Sequence, residues 1–461
     1  MKHSSIQAIS IALAAASTGS AESIARRSIS GTSTVNLADK IGPAEFLGSG
    51  FLYGIPDNGV SADSSVPDEF FTGINFKTCR GGGGQVDAVG WATGGYNGYI
   101  GRFQSALSNY RTTRNHGGDF ILMASDMWGA QGGATAEYPF PGDNGNWTEM
   151  EIFLGQVISD IKANDMLDGL ILDLWNEPDL ETFWYPAWSQ YVEYIVRATK
   201  YVRSNYPGLP VEFPSAANSP SEDSDNWNQL FAAVAANDVV PDRYSWHQIG
   251  DWQREPDVTV PSLTALRAVH FLPERPIDVN EYAWPSEQNP ANSVYYISQF
   301  ERWGIRALRA NWGGGSDLHN YMANLIWTTS EGVYYPNGDW QAYKYYGSMV
   351  GERIATKASD DLKFDSFAVV SGDGLLQILA GTRTVQQAYQ ITITGLSEYG
   401  LATEGSLNIR TLRFDWSGSE VEVGDPVDLG SATYTYSSNE LTITFDPPSN
   451  STAFAFEIQL S

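Results

Sequence analysis

The sequence predicts an α/β fold, a (β/α)₈ barrel followed by an antiparallel β-sandwich, and three observations carry that expectation. Between Gly48 and Tyr346 short apolar runs alternate with longer stretches of helical periodicity, the order of a parallel barrel. From Ile354 onward the runs are short, lack helical patterns between them, and are separated by Gly, Ser, Asn or Pro, the texture of a sandwich. The 461 residues suffice for one barrel of roughly 250 residues or more and a smaller partner.

The elements follow in order. Barrel strands are expected over residues 50–54, 73–79, 120–125, 169–175, 211–215, 243–248, 277–281 and 305–312, each an apolar run of strand length. Helices are expected between them over 99–113, 148–163, 187–205, 227–236, 261–271, 293–303 and 341–349. Pro207-Gly208 and Asn237-Asp238 supply helix stops. The second unit is the least regular, because Gly81 to Gly84 and Gly94-Gly95 make its loop long. Sandwich strands are expected over 364–370, 375–380, 388–394, 407–415, 433–436, 441–445 and 453–460, with Thr34 to Leu37 adding one more. The resulting division is a signal sequence over residues 1–21, an N-terminal segment 22–45, the barrel 46–350 and the sandwich 351–461.

Composition narrows the function. A formal net charge of −27 repels nucleic acid and anionic membranes, so neither is expected as a partner. Aromatics make up 13% of the chain, including 15 Trp and 24 Tyr, enough to fill a large core and still furnish flat platforms for a ligand. Met1-Lys2-His3 precedes an apolar stretch from Ile6 to Ala16, and Gly19-Ser20-Ala21 offers a cleavage site after Ala21. That stretch is too short to span a membrane, so secretion is expected. Asn146-Trp147-Thr148 and Asn450-Ser451-Thr452 are glycosylation sequons that fit this route. The lone Cys79 has no partner for an internal disulfide and reads as a small buried hydrophobe. No Cys/His spacing implies a metal, and no phosphate-binding glycine loop precedes a helix, so no cofactor is expected. The oligomeric state is left open.

The chemistry is concentrated at two strand ends. The run Ile171-Leu172-Asp173-Leu174-Trp175 stops at Asn176-Glu177-Pro178, and Pro178 ends the ladder and pushes Glu177 toward extended backbone. Ile277-Asp278-Val279 likewise runs into Asn280-Glu281-Tyr282. These are strands four and seven, so both carboxylates sit on the C-terminal rim of the barrel, where such folds place their chemistry. Two carboxylates facing across one bowl suit glycoside hydrolysis, one protonating the leaving oxygen and the other attacking the anomeric carbon.

In these motifs the sequence resembles clan A of the glycoside hydrolases. Trp175-Asn176-Glu177-Pro178 is similar to the clan's acid/base motif and Val279-Asn280-Glu281-Tyr282 to its nucleophile strand. The barrel-plus-sandwich layout, with Gly50-Phe51-Leu52-Tyr53-Gly54 and Arg80-Gly81-Gly82-Gly83, most resembles family 39 and its relatives. The resemblance covers nearly the whole mature chain. It implies retention of configuration, with Glu177 as acid/base, Glu281 as nucleophile and carboxyl groups about 5–5.5 Å apart. It implies that Asn176 binds the sugar 2-hydroxyl, that His247 at the end of strand six lies near the nucleophile, and that Trp312 forms the floor under the reacting sugar.

Position adds other candidates. Arg80 after strand two could orient Glu281 and keep it ionised. The charge of Glu281 is expected to raise the pKa of Glu177. Asp126 could bind hydroxyls, Trp128, Trp184 and Tyr185 are platform candidates, and Tyr282 stands beside the nucleophile. The loops at Gly81 to Gly84 and from Gly313 to Trp340 do not map onto characterised β-xylosidases or iduronidases, so substrate identity stays open. The expectation is an exo-acting enzyme on neutral carbohydrate, with an endo-acting glycanase or a non-catalytic sugar-binding protein as alternatives. An esterase or metal-dependent amidohydrolase fits poorly, lacking a nucleophile-elbow Ser and paired His ligands.

Overall fold

The computed structural model describes residues 27–250, 254–319 and 321–460; the expected signal sequence lies outside the described residues. Strand β1 (Ile29–Pro43) precedes the barrel. The barrel strands are β2 (Gly50–Leu52), β3 (Thr78–Gly81), β4 (Asp119–Met123), β5 (Leu170–Asp173), β6 (Val211–Ala216), β7 (Arg243–Gln248), β8 (Ile277–Tyr282) and β9 (Arg306–Arg309). They pair in parallel, and β9 returns to β2 to close the ring. The helices are α1 (Asp68–Gly73), α2 (Trp91–Asn115), α3 (Ala124–Trp128), α4 (Thr148–Ala163), α5 (Trp188–Asn205), α6 (Asp225–Asn237), α7 (Pro256–Val269), α8 (Pro290–Trp303) and α9 (Gly338–Ser348). The short α1 was not expected, and α2 begins eight residues early because Gly95, at φ 54°, lets the chain break and resume as helix.

Period-two alternation assigns each strand residue a face. Phe120 and Leu122 of β4 and Leu172 of β5 join the apolar layer between strands and helices. Ile121, Ile171 and Leu308 form a separate cluster of their own. Besides it, ion pairs occupy the fully buried positions: Asp278 receives Arg243 at 2.6 and 2.7 Å and Arg306 at 3.1 Å. Glu212 is completely buried beside them, and desolvation together with the Asp278 charge pushes its carboxyl above the usual value.

The long segment after β9 carries a hairpin, β10 (Ile326–Thr328) with β11 (Tyr334–Pro336). The remaining strands are β12 (Glu352–Lys357), β13 (Phe364–Val370), β14 (Leu375–Thr382), β15 (Ala388–Thr394), β16 (Gly405–Phe414), β17 (Val427–Tyr436), β18 (Glu440–Phe445) and β19 (Ala453–Gln459). Their order is β17-β16-β19-β14-β13-β12-β1-β15-β18, wrapped as a sandwich around its own core of Val35, Ile378, Ile391, Ile443 and Phe456. The sheet is antiparallel as expected, with one parallel pairing. β1 runs parallel to β15, because the N-terminal segment enters between β12 and β15 from before the barrel.

Barrel and sandwich are locked together. Helix α8 packs on β14 so closely that a Cβ at Gly381 would stand 2.2 Å from the Ala291 carbonyl oxygen. Arg383, buried just past β14, donates to Glu287 at 2.7 Å, Glu255 at 2.6 Å and the Gly250 carbonyl at 2.7 Å. Removing one member of such a buried ion cluster strands the others. Arg383→Ala is therefore expected to lower unfolding free energy by about 3–5 kcal/mol in denaturant titrations. A loss below about 1 kcal/mol would show that the joint rests on packing alone.

Candidate active site

The C-terminal rim holds a cavity of about 310 Å³ lined by Tyr53, Asp126, Asn176, Glu177, Glu281 and Trp312 among others. A larger open groove of about 880 Å³ lies at the opposite end of the barrel, where Asp242, Pro273 and Arg275 lead into β7 and β8. The paired carboxylates are absent from it, so its size does not make it the site.

Glu281 arrives on β8 and Glu177 on the segment following β5. The chain past Asp173 stays pinned to β6, with Leu174 N–H donating to Glu212 O at 3.3 Å and Glu177 N–H to Ser215 O at 2.9 Å. Glu177 takes φ 43°, left-handed rather than the extended backbone expected from Pro178. The hydrogen bond to Ser215, itself at φ 48°, fixes this turn. Such strain costs on the order of 1–3 kcal/mol per residue and is typical of functional sites.

His247 sits between the two carboxylates. Its Nδ1 lies 2.8 Å from Glu177 Oε1 and its Nε2 lies 3.7 Å from Glu281 Oε1. One ligand atom from each of Glu177, His247 and Glu281 falls within 4.8 Å of the others. Complete burial lowers the His247 pKa to about 4, so the imidazole is neutral. Burial raises Glu177 to about 7, aided by the charge of Asp179 and opposed by Arg80 and Arg254. The expectation that the charge of Glu281 would raise it is corrected in its cause: desolvation comes first, then Asp179. Burial and Glu177 push Glu281 upward while His247 and Arg80 pull it down, with a net rise.

Arg80 ends inside the barrel, fully buried, and donates through Nη1 to Glu281 Oε1 at 2.6 Å. Its Nη2 reaches Asn176 Oδ1 at 2.7 Å, which assigns the amide and leaves Asn176 Nδ2 available to a ligand. Asp126 accepts a hydrogen bond from Tyr53, whose hydroxyl also accepts from Gly82 and Gly84 N–H at 3.0 Å each. Burial raises the Asp126 carboxyl. Trp312 lines the cavity and is fixed by its indole N–H to the Ala283 carbonyl at 3.0 Å. Trp284 stands against it, ring centroids 4.6 Å apart and nearly perpendicular.

Four candidates lie elsewhere. Trp128 is buried on α3, its indole N–H bonded to Pro139 O at 3.0 Å and its ring against Phe153, so it is core. Tyr282 points outward from β8 against Phe300 and Tyr296 and bonds Tyr343, because strand alternation turns it away from the bowl that Glu281 faces. Trp184 is likewise buried against Trp175, and Tyr185 is exposed but does not line the cavity. Sequence reasoning missed Tyr53, Gln131, Phe183 and Asp179; Asp179 follows Glu177 by two residues and was the one with a visible signal.

The same three groups are the described cluster with metal-ligating atoms in proximity. The fit to a cation is poor, because Arg80 already occupies Glu281 Oε1 and sets a fixed positive charge beside it.

No protein-family model matches the chain, and no curated protein matches it. Solved structures do share its fold. A protein designated N2152 from Neocallimastix frontalis is 17% identical with a TM-score of 0.72, over 93% of this chain and 99% of that one. A monomeric β-xylosidase from Caulobacter crescentus is 14% identical with a TM-score of 0.55, again over 93% and 99%. A family 39 glycoside hydrolase from Xanthomonas axonopodis is 14% identical with a TM-score of 0.54, over 95% and 99%. The fold is thus that of barrel-plus-sandwich enzymes of the kind the sequence motifs resemble.

The site makes a direct titration prediction. In ¹³C-carboxyl NMR, Glu177 is expected to titrate at about pH 7. Asp179→Asn removes a negative charge that favours the protonated form, so the midpoint is expected to fall by about half a unit or more. An unchanged midpoint would remove Asp179 from the account.

Proposed function

We propose that the protein is a retaining glycoside hydrolase of clan A type. The observation that supports this most is the pairing of Glu177 and Glu281 across one cavity, with carboxylate oxygens within 4.8 Å. That spacing is well short of the roughly 6.5–9.5 Å at which a water is accommodated beside the sugar for inversion, and suits direct attack by one carboxylate. Glu281, aimed by Arg80, attacks the anomeric carbon as Glu177 gives its proton to the departing glycosidic oxygen. Glu177 then takes a proton from water, water attacks the anomeric carbon, and the Glu281 ester is released. Asn176 holds the 2-hydroxyl, Trp312 supports the ring, and Asp126 accepts a hydroxyl. Neutral His247 holds Glu177 in line.

The substrate is a neutral carbohydrate cut from a chain end. None of the described residues lining the cavity is basic, which disfavours uronates, and about 310 Å³ is near the lower bound of ligand clefts. The segment Gly313 to Gly315 with Leu318 walls one side. The protein is secreted, with Asn146 and Asn450 available for glycosylation; the Ile6 to Ala16 stretch and both sequons support this reading.

Aryl glycosides and an oligosaccharide panel test the proposal. Glu281→Gln is expected to lower kcat on the order of 10⁶-fold, the scale of losing a nucleophile. Glu177→Ala is expected to lose turnover of substrates with poor leaving groups and regain it with added azide, yielding a glycosyl azide of retained configuration. Chelators are expected to leave the rate unchanged. Inverted product, or Glu281→Gln turning over like wild type, would break the assignment.

A further inference from the structure

The carboxylate of Asp173 is not used by the mechanism above, yet it is wholly buried directly behind it. Arg80 Nε and Nη2 both donate to Asp173 Oδ2, at 3.0 and 2.6 Å. A guanidinium is a rigid planar fork, so holding Nε and Nη2 fixes the direction of Nη1. That third nitrogen meets Glu281 Oε1 at 2.6 Å. Asp173 is fixed in turn through Oδ1, which accepts from Ser215 Oγ at 3.0 Å. Ser215 Oγ lies 2.9 Å from Ser245 Oγ and accepts from Asn280 Nδ2 at 2.7 Å, and Asn280 immediately precedes Glu281. The aim of the guanidinium is thereby set by residues of β5, β6, β7 and β8 together.

We propose that Asp173 is a positioning residue that, acting through Arg80, sets both the orientation and the charge state of Glu281; this rests on the reading of Glu281 as nucleophile. Two carboxylates share one guanidinium that is itself shut off from water: Arg80 has no side-chain exposure, and Glu281 has 12%. With Asp173 present, Arg80 is shared between two carboxylates, and Glu281 keeps the basicity that an attacking carboxylate needs. With Asp173 neutral, Arg80 belongs to Glu281 alone, which becomes a weaker and more acidic group in a looser geometry.

The test uses a 2-deoxy-2-fluoro derivative of whichever activated aryl glycoside the enzyme turns over, which traps the covalent intermediate. Mass spectrometry of the labelled peptide identifies the attacked residue, and the labelling rate reads the attack itself. Asp173→Asn is expected to slow labelling of Glu281 by about 10²-fold, with KM nearly unchanged. The acidic limb of its kcat/KM profile is expected to move to lower pH, because Glu281 loses a negative neighbour and ionises more readily. Loss of packing alone would not move that limb downward. Should Asp173→Asn fail to fold, Ser215→Ala carries the test by removing the donor to Oδ1 without a charge change: labelling slowed at least about 3-fold supports the proposal. Wild-type labelling of Glu281 in a folded variant of either residue would overturn it. Label on a residue other than Glu281 in the wild type would instead overturn the nucleophile assignment beneath it.

Discussion

Everything at the top of this barrel depends on one buried cation. Arg80 has no contact with solvent and is held between Asp173, Asn176 and Glu281. Burial works against its charge, but the two carboxylates more than offset that and raise its pKa. An ion cluster in low dielectric is stable when its hydrogen bonds are satisfied and its geometry is fixed. That requirement orders the neighbourhood: the Asn176 amide has one orientation, Glu281 has one rotamer, and Asp173 is tied through Ser215 to three further strands. The site is rigid because its charges allow no alternative arrangement.

The closed barrel was legible in the sequence because eight apolar runs of strand length alternate with helical spacing, and strand counting placed Glu177 and Glu281 on one rim. The residues missed or misplaced share a physical cause. Whether a rim side chain enters the bowl is decided by strand alternation and by where the strand gives way to a loop. Alternation could have excluded Tyr282, since its neighbour Glu281 faces inward. For Trp128 no such rule applied, because helix α3 starts directly at Ala124 and turns the indole into the core. Tyr53 was hidden because its role depends on the glycine loop folding over it, with Gly82 and Gly84 N–H groups donating to its hydroxyl. Only Gly or a closely similar backbone fits there: a Cβ at Gly82 would stand 2.5 Å from the Met123 carbonyl oxygen. The loop that seemed irregular in sequence is thus close-packed in space.

The sandwich enters the same argument through its joint with the barrel. Arg383 reaches from the end of β14 into Glu255, Glu287 and the Gly250 carbonyl, next to the loop that follows β7 and carries Ile249 into the cavity. The sandwich therefore buttresses the rim from outside as the Arg80 cluster does from inside.

The source of the raised Glu177 pKa bears on how such a residue serves in both halves of a double displacement. Were the shift due to a charged Glu281, it would vanish once that carboxylate became a neutral ester. Here desolvation and Asp179 are the leading causes, and neither is consumed by forming the ester. On the proposed roles, a shift of this origin suits Glu177 to act as acid in the first half and to draw a proton from water in the second. Placing the perturbing charge on Asp179, two residues along the same turn and held by Ala217 and Asn218 N–H at 2.8 and 2.9 Å, separates the tuning of the acid from the chemistry of the nucleophile. The two carboxylates face each other and share Arg80, but Asp179 bears on Glu177 while His247 pulls on Glu281.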